Sequence, residues 1–264
     1  MIISLLYHDV VPSGNFAGSG FPGADADIYK LTRPEFERHL EAIAQRAASS
    51  EVSLLNSRQK KLADQTLLLT FDDGGVSAML IADLLEAQGW RGHFFIPTDY
   101  IGRNGFLTIS QIRELHRRGH VIGSHSCSHP ARISRCRPAQ LDQEWRQSAQ
   151  ILADGLGERV GVGSVPGGFY ARRVAAAAQQ AGIEVLFTSE PRSRLRLVDD
   201  CLIVGRYAIW QGTSAHLAAS LARGDAAPRL RQFLFWTTKK LLKRMGGESY
   251  LALRKKLLEH RPSA

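Results

Sequence analysis

Short contiguous apolar runs alternate with stretches whose apolar residues recur every three or four positions. The first run, 2–7, reads as a buried strand and is closed by His8-Asp9. Residues 13–30, rich in Gly, Pro, Ala and Asp, predict a long loop, and such loops are usually functional. Thr32-Arg33-Pro34-Glu35 combines a cap, a first-turn proline and a capping-box glutamate, and opens a helix with Phe36, Leu40, Ile43 and Ala44 inward. After a polar, basic connection (49–64, with an extended piece at 52–55) comes a run over 65–69 that ends in Thr70-Phe71-Asp72-Asp73-Gly74. Further strands are predicted at 93–97, 120–123, 160–165, 185–188, 202–204 and 207–209. Helices are predicted at 76–88, 110–118, 138–156, 172–181 and 214–223, several stopped by a glycine.

Strand followed by helix, repeated about seven times, predicts a parallel sheet with helices outside. An open doubly wound sheet fits that pattern. A barrel fits it better, because polar clusters recur at the C-terminal ends of nearly every strand, and in a (β/α) barrel those ends converge on one site. The fold class is therefore α/β, a (β/α)7 barrel over 1–225 followed by a basic amphipathic helical tail over 226–264.

The strand ends carry His8-Asp9, Asp72-Asp73, His125 with His129, and Pro166-Gly167-Gly168. Adjacent carboxylates at the end of a buried strand repel each other and lose hydration. Such a pair calls for a cation or a chemical task, unless one Asp merely caps the next helix. His125 and His129, read as the start of a helix, point the same way and can grip one ion. Two imidazoles and a carboxylate suit Zn²⁺, with Ni, Co or Fe as other divalent candidates, and leave positions for water and substrate.

Thr70-Phe71-Asp72-Asp73-Gly74 and His125-Ser126-Cys127-Ser128-His129 closely resemble the first two motifs of the NodB-homology polysaccharide deacetylases, carbohydrate esterase family four; Ser164-Val165-Pro166-Gly167-Gly168 resembles the third. The resemblance runs through roughly residues 1–225. It implies a distorted, incompletely closed (β/α)7 barrel that removes N-acetyl groups from amino sugars. It also implies Asp72 as general base, and Asp73, His125 and His129 as metal ligands. Backbone N–H groups near Gly167 and Gly168 are candidates for holding the oxyanion. Pro166, Gly167, Gly168, Tyr170 and Arg206 are the candidate substrate-binding residues, with Phe169 beside Tyr170 in the cleft.

The chain departs from the family pattern in three places. Ser164 stands where the third motif commonly has the Arg that orients the base, and Arg206 at another strand end is a candidate replacement. The fourth motif is not recognisable near Glu190-Pro191. The late Leu-x-His motif is unclear, since His216 falls in a helical pattern. His8 is therefore the candidate general acid, in a Tyr7-His8-Asp9-Val10 start similar to that of poly-N-acetylglucosamine-type exopolysaccharide deacetylases. A neighbouring carboxylate would set its charge, and Asp9 could do so only if the strand bends.

Charge changes the picture in one place. Of a net +9, residues 229–261 carry ten bases and two acids, so the main domain is nearly neutral and presents no nucleic-acid face. The tail's Phe233-Leu234-Phe235-Trp236 edge and its lysines fit either a membrane surface or a helix packed on the barrel. Three scattered cysteines (Cys127, Cys136, Cys201) point to a reducing compartment. Residues 1–7 lack the basic start of a signal peptide, and no apolar run is long enough to span a bilayer. The expectation is a cytoplasmic enzyme, peripheral at the inner membrane face, acting on an N-acetylated glycan or lipid-linked glycan precursor. The alternatives are hydrolysis of another amide, a formamide or cyclic imide, and an inactive glycan-binding or membrane scaffold protein.

Overall fold

The computed structural model describes residues 1–12, 15–47, 51–56, 63 and 65–238. In chain order its elements begin with β1 (Ile2–Tyr7), β2 (Val10–Val11), α1 (Ala24–Asp27), β3 (Leu31–Thr32), α2 (Arg33–Arg46), β4 (Glu51–Val52) and β5 (Thr66–Phe71). Then follow α3 (Ala78–Ala87), β6 (His93–Ile96), α4 (Ile109–Arg117), β7 (Val121–Ser124), α5 (Pro138–Leu156), β8 (Val162–Ser164), α6 (Arg172–Gln180) and β9 (Val185–Phe187). The last are β10 (Arg196–Val198), β11 (Cys201–Val204), β12 (Tyr207–Ala208) and α7 (Ala215–Arg223), followed by a helix, α8, over 226–238. The tail helices expected beyond residue 238 lie outside the described residues.

The sheet runs β10-β11-β9-β8-β7-β6-β5-β1-β12. Every neighbouring pair is parallel except β10 with β11. The sheet curls without closing. Its two ends, β12 and the β10–β11 hairpin, are adjacent in sequence yet not paired with each other, so the barrel opens at Gly205-Arg206. The hairpin was not foreseen as a strand pair. It is a short edge whose turn uses Asp199 and Asp200, both with positive φ.

Alternation along the strands sorts side chains to two faces. Leu67, Leu69 and Phe71 pack outward with Ile3, Leu5 and Tyr7 against the helices. Leu68, Phe95, Val162, Val185, Phe187 and Val204 fill the inside of the curl. The same parity turns His8, Asp72 and Ser164 inward at its C-terminal mouth. Register then sets neighbours: Tyr7 pairs with Phe71, so His8 and Asp72 leave the sheet side by side. Ser124 pairs with Gly163, which brings His125 beside Ser164.

The 15–30 segment is more ordered than a loop reading implies. Lys30, 1% exposed, donates from Nζ to the carbonyls of Phe16 and Phe21 and pairs with Asp27 at 3.1 Å. Asp9 clasps the same segment from the other side. Its Oδ1 accepts from Ser19 Oγ at 2.6 Å and from Ser77 Oγ at 2.8 Å. A Cβ on Gly75 would fall 1.9 Å from that carboxylate, so only glycine fits there.

Candidate active site

β5 delivers Asp72 and Asp73 to the mouth of the curl, and Asp73 turns out of the strand with φ 74°. Opposite, β7 releases His125, and the chain reverses through Ser126 (φ 62°) to His129 (φ 53°). The histidine segment is therefore a tight turn, not the helix start its spacing suggested; the turn, instead of a helical face, brings both rings to one place. Asp73 Oδ1 lies 3.4 Å from His125 Nε2 and 3.5 Å from His129 Nε2. Three ligands at 2.0–2.1 Å from a tetrahedral ion stand about 3.3 Å apart, so the spacing fits a single small cation. Among the described residues these three form the one group of His, Cys, Asp and Glu side chains close enough to hold a metal.

Protonation favours the same use. His125 Nδ1 can only donate to the Ser164 carbonyl, 2.9 Å away, which leaves Nε2 to face the ion. Burial pushes His129 down to about 4, the neutral form a ligand needs. Burial opposes the charge on Asp73, but the His125 hydrogen bond and the charges of His8, His129 and His125 outweigh it and hold the carboxyl well below its usual range. For His125 burial acts downward, and the charges of Asp72 and Asp73 reverse it, so the ring's proton sits where a cation would.

Asp72 is held differently. Arg206 Nη1 donates to its Oδ1 at 2.7 Å and Nη2 to its Oδ2 at 2.9 Å. Arg206 also donates to the Ser164 hydroxyl at 2.7 Å and to the Thr188 carbonyl at 3.1 Å, while Ser164 Oγ donates to Asp72 Oδ2 at 3.2 Å. The guanidinium lies near the faces of Phe95 and Phe187 inside the curl. Burial raises the Asp72 carboxyl, yet Arg206, with His125 behind it, holds it below its ordinary value and ionised. Arg206 is 0% exposed. This corrects its assignment to substrate binding: it enters through the open seam and orients Asp72, with the Ser164 hydroxyl between them.

His8 sits at the same mouth, its ring 4.7 Å from that of Tyr29. Its buried Nδ1 has no hydrogen-bond partner among the described residues. Asp9 does not serve it; that carboxylate belongs to the Ser19–Ser77 clasp described above. Pro166–Gly168 forms a 3-10 turn in which Gly167 and Gly168 have φ of 59° and 68°. Tyr170 stands half-buried with the Arg196 guanidinium 5.8 Å from its ring, and Arg196 pairs with buried Glu190 at 2.9 Å. Trp210 contacts Phe235 of α8. Sequence reasoning missed Phe21, whose ring lies 4.7 Å from His129 and 4.7 Å from Tyr100, because nothing in an irregular segment marks which residue turns inward.

Fold and site together define a (β/α)-barrel protein with one candidate mononuclear metal centre and a buried, arginine-held carboxylate beside it. Residues 59–186 match the family model for polysaccharide deacetylase. Over that span the chain is similar to the polysaccharide deacetylase family. It is 26% identical over 197 residues to the putative polysaccharide deacetylase YxkH of Bacillus subtilis, a match covering 73% of this chain and 66% of that protein. Among solved structures it is similar to IcaB from Ammonifex degensii, with a TM-score of 0.68 at 22% identity over 84% of this chain and 97% of that one. The Streptococcus pyogenes deacetylase PplD gives 0.67 at 17%, over 83% and 97%. These two likenesses show the fold, an incompletely closed barrel.

Proposed function

We propose that the chain is a metal-dependent hydrolase that removes N-acetyl groups from an amino-sugar glycan or lipid-linked glycan precursor. The observation that carries this reading is the ionised, Arg206-held Asp72 set 3.7 Å from His125 Nε2, against the Asp73–His125–His129 triangle. Asp73, His125 and His129 would hold the ion; imidazole and carboxylate donors favour Zn²⁺. When bound, a divalent metal acidifies a water and polarises the amide carbonyl. Asp72 would accept a proton from the attacking water as the water oxygen bonds to the carbonyl carbon. Arg206 keeps the carboxylate aimed during the transfer. Backbone N–H groups around Gly167 and Gly168 are suited to the developing oxyanion. His8, beside Asp72 at the mouth, donates a proton to the leaving amine as the C–N bond breaks, giving acetate and the free amino sugar. Tyr170 lines the cleft.

The test is acetate release from N-acetylglucosamine oligomers and from a lipid-linked N-acetyl sugar, with Asp72→Asn and His8→Gln alongside. Wild type should release acetate, Asp72→Asn at least about 100-fold less, and His8→Gln less with unchanged metal affinity. Turnover of a formamide or cyclic imide in place of these sugars would support a different amide. No turnover of any of them would leave a binding or scaffold protein.

Contact with an anionic membrane surface at the cytoplasmic face belongs to the same proposal. Leu230, Leu234 and Phe235 stand 56–58% exposed on α8, and Lys239, Lys240, Lys243 and Arg244 follow in sequence. No described helix is long and apolar enough to cross a membrane. The full chain should sediment with phosphatidylglycerol-containing vesicles and not with pure phosphatidylcholine. Equal recovery with both would remove the charge argument.

A further inference from the structure

The turn that carries both histidines supports itself only in part, through His129 N donating to Ser126 Oγ at 3.2 Å. Ser126 and His129 each adopt a left-handed backbone that costs a non-glycine residue on the order of 1–2 kcal/mol. Between them, the N–H groups of Cys127 and Ser128 point away from the site. Both are received by a single carboxylate oxygen on α5: Glu144 Oε2 accepts from Cys127 N at 2.9 Å and from Ser128 N at 2.8 Å. The other oxygen, Oε1, accepts from the Ser128 hydroxyl at 2.5 Å. Glu144 is 6% exposed and makes no ion pair with Lys or Arg among the described residues, so the turn's donors are what satisfy its charge. One turn further along α5, on the same face, Ser148 Oγ bonds Ser124 Oγ at 2.7 Å, and Ser124 Oγ accepts from Ser126 N at 3.1 Å.

We propose that Glu144 is a positioning residue for the metal centre: by gripping the Cys127–Ser128 backbone from behind, it sets where His129 stands relative to His125 and Asp73. This rests on the reading of those three residues as ligands. The grip is specific to the turn's shape. Without it the buried Cys127 amide and the half-buried Ser128 amide must find other partners, and the left-handed residues can relax toward ordinary backbone, which swings His129 out of the triangle. Glu144→Gln keeps one carbonyl oxygen for both amides and can turn its NH2 toward the Ser128 hydroxyl, which then accepts, so it should hold most of the geometry. Glu144→Ala removes it.

The experiment is competition of the purified full chain with a chromophoric chelator for Zn²⁺, and the visible spectrum of the Co²⁺-loaded protein. Glu144→Ala should bind Zn²⁺ about 10–100-fold more weakly, in line with other groups that orient a metal ligand from behind. Its Co²⁺ bands should weaken as His129 is lost. Glu144→Gln should stay within a few-fold of wild type. Ser128→Ala, which removes only the hydroxyl contact, should fall between them and keeps the test open if Glu144→Ala does not fold. A lowered melting temperature in Glu144→Ala with wild-type Zn²⁺ affinity and Co²⁺ spectrum would make Glu144 a structural tie only and overturn the inference. Failure of the wild type itself to bind Zn²⁺ or Co²⁺ would overturn the ligand reading instead, so the two failures are distinguishable.

Discussion

Arg206→Met is expected to cut kcat for acetate release by about 100–1,000-fold at neutral pH, the range a well-aimed general base contributes. The substitution removes both hydrogen bonds from the buried Asp72 carboxylate and the charge that keeps it ionised. Burial is then opposed only by the charges of His125 and His8, and the Asp72 carboxyl rises. Since catalysis needs the deprotonated form, the acid limb of the pH–rate profile must move to higher pH, and part of the activity should return as pH rises. An uncompensated buried charge also costs about 3–5 kcal/mol of stability, so this variant should melt earlier. Arg206→Lys separates charge from geometry. It restores the positive charge but cannot donate two parallel bonds, so its acid limb should lie near that of wild type while kcat remains reduced. A wild-type rate and pH profile in Arg206→Lys would show that the forked contact does not aim the base.

The same residue marks the limit of what the sequence made legible. The candidate metal site was legible because its parts are local: a strand end with two acids, and two histidines five positions apart inclusive of both. Strand and helix periodicity placed those parts at one end of a parallel sheet, and the open barrel follows that order. Arg206 could be named as a candidate replacement for the arginine that orients the base, but its forked contact with Asp72, 134 residues away, could not be read, because their meeting depends on where the sheet fails to close. Its burial could not be read either, since arginine at a strand mouth is ordinarily exposed. Asp9 shows strand alternation at work, as a residue that could serve His8 only if the strand bends. No such bend occurs, and alternation turns it outward to Ser19 and Ser77. Glu144 gave no signal. In Asp142-Gln143-Glu144-Trp145-Arg146 a charged residue reads as a solvent face, and only the docking of α5 behind the histidine turn buries it.

Asp73→Asn is expected to abolish the metal's effect on stability while changing the metal-free protein little. Asparagine tolerates the left-handed backbone that Asp73 adopts at φ 74°, so the turn after β5 should persist. In the metal-free protein the change removes the charge that His125 and His129 face at 3.4 and 3.5 Å, which costs stability. It also removes an anion that stands next to Asp72 and raises the Asp9 carboxyl, which returns some of it. The two terms oppose, and the melting temperature without metal should move by only a few degrees. With metal the balance has no such compensation. The triangle loses its anionic corner, leaving two neutral imidazoles and an amide oxygen, a far weaker set for a divalent cation. Wild type in Zn²⁺ at 100 times its Kd should gain about 2.7 kcal/mol, seen as a clear rise in melting temperature. Asp73→Asn under the same conditions should show none, and its acetate release should fall with it. A full metal-induced rise in Asp73→Asn would mean that the ion is held elsewhere and that the carboxylate's place between the two histidines serves another purpose.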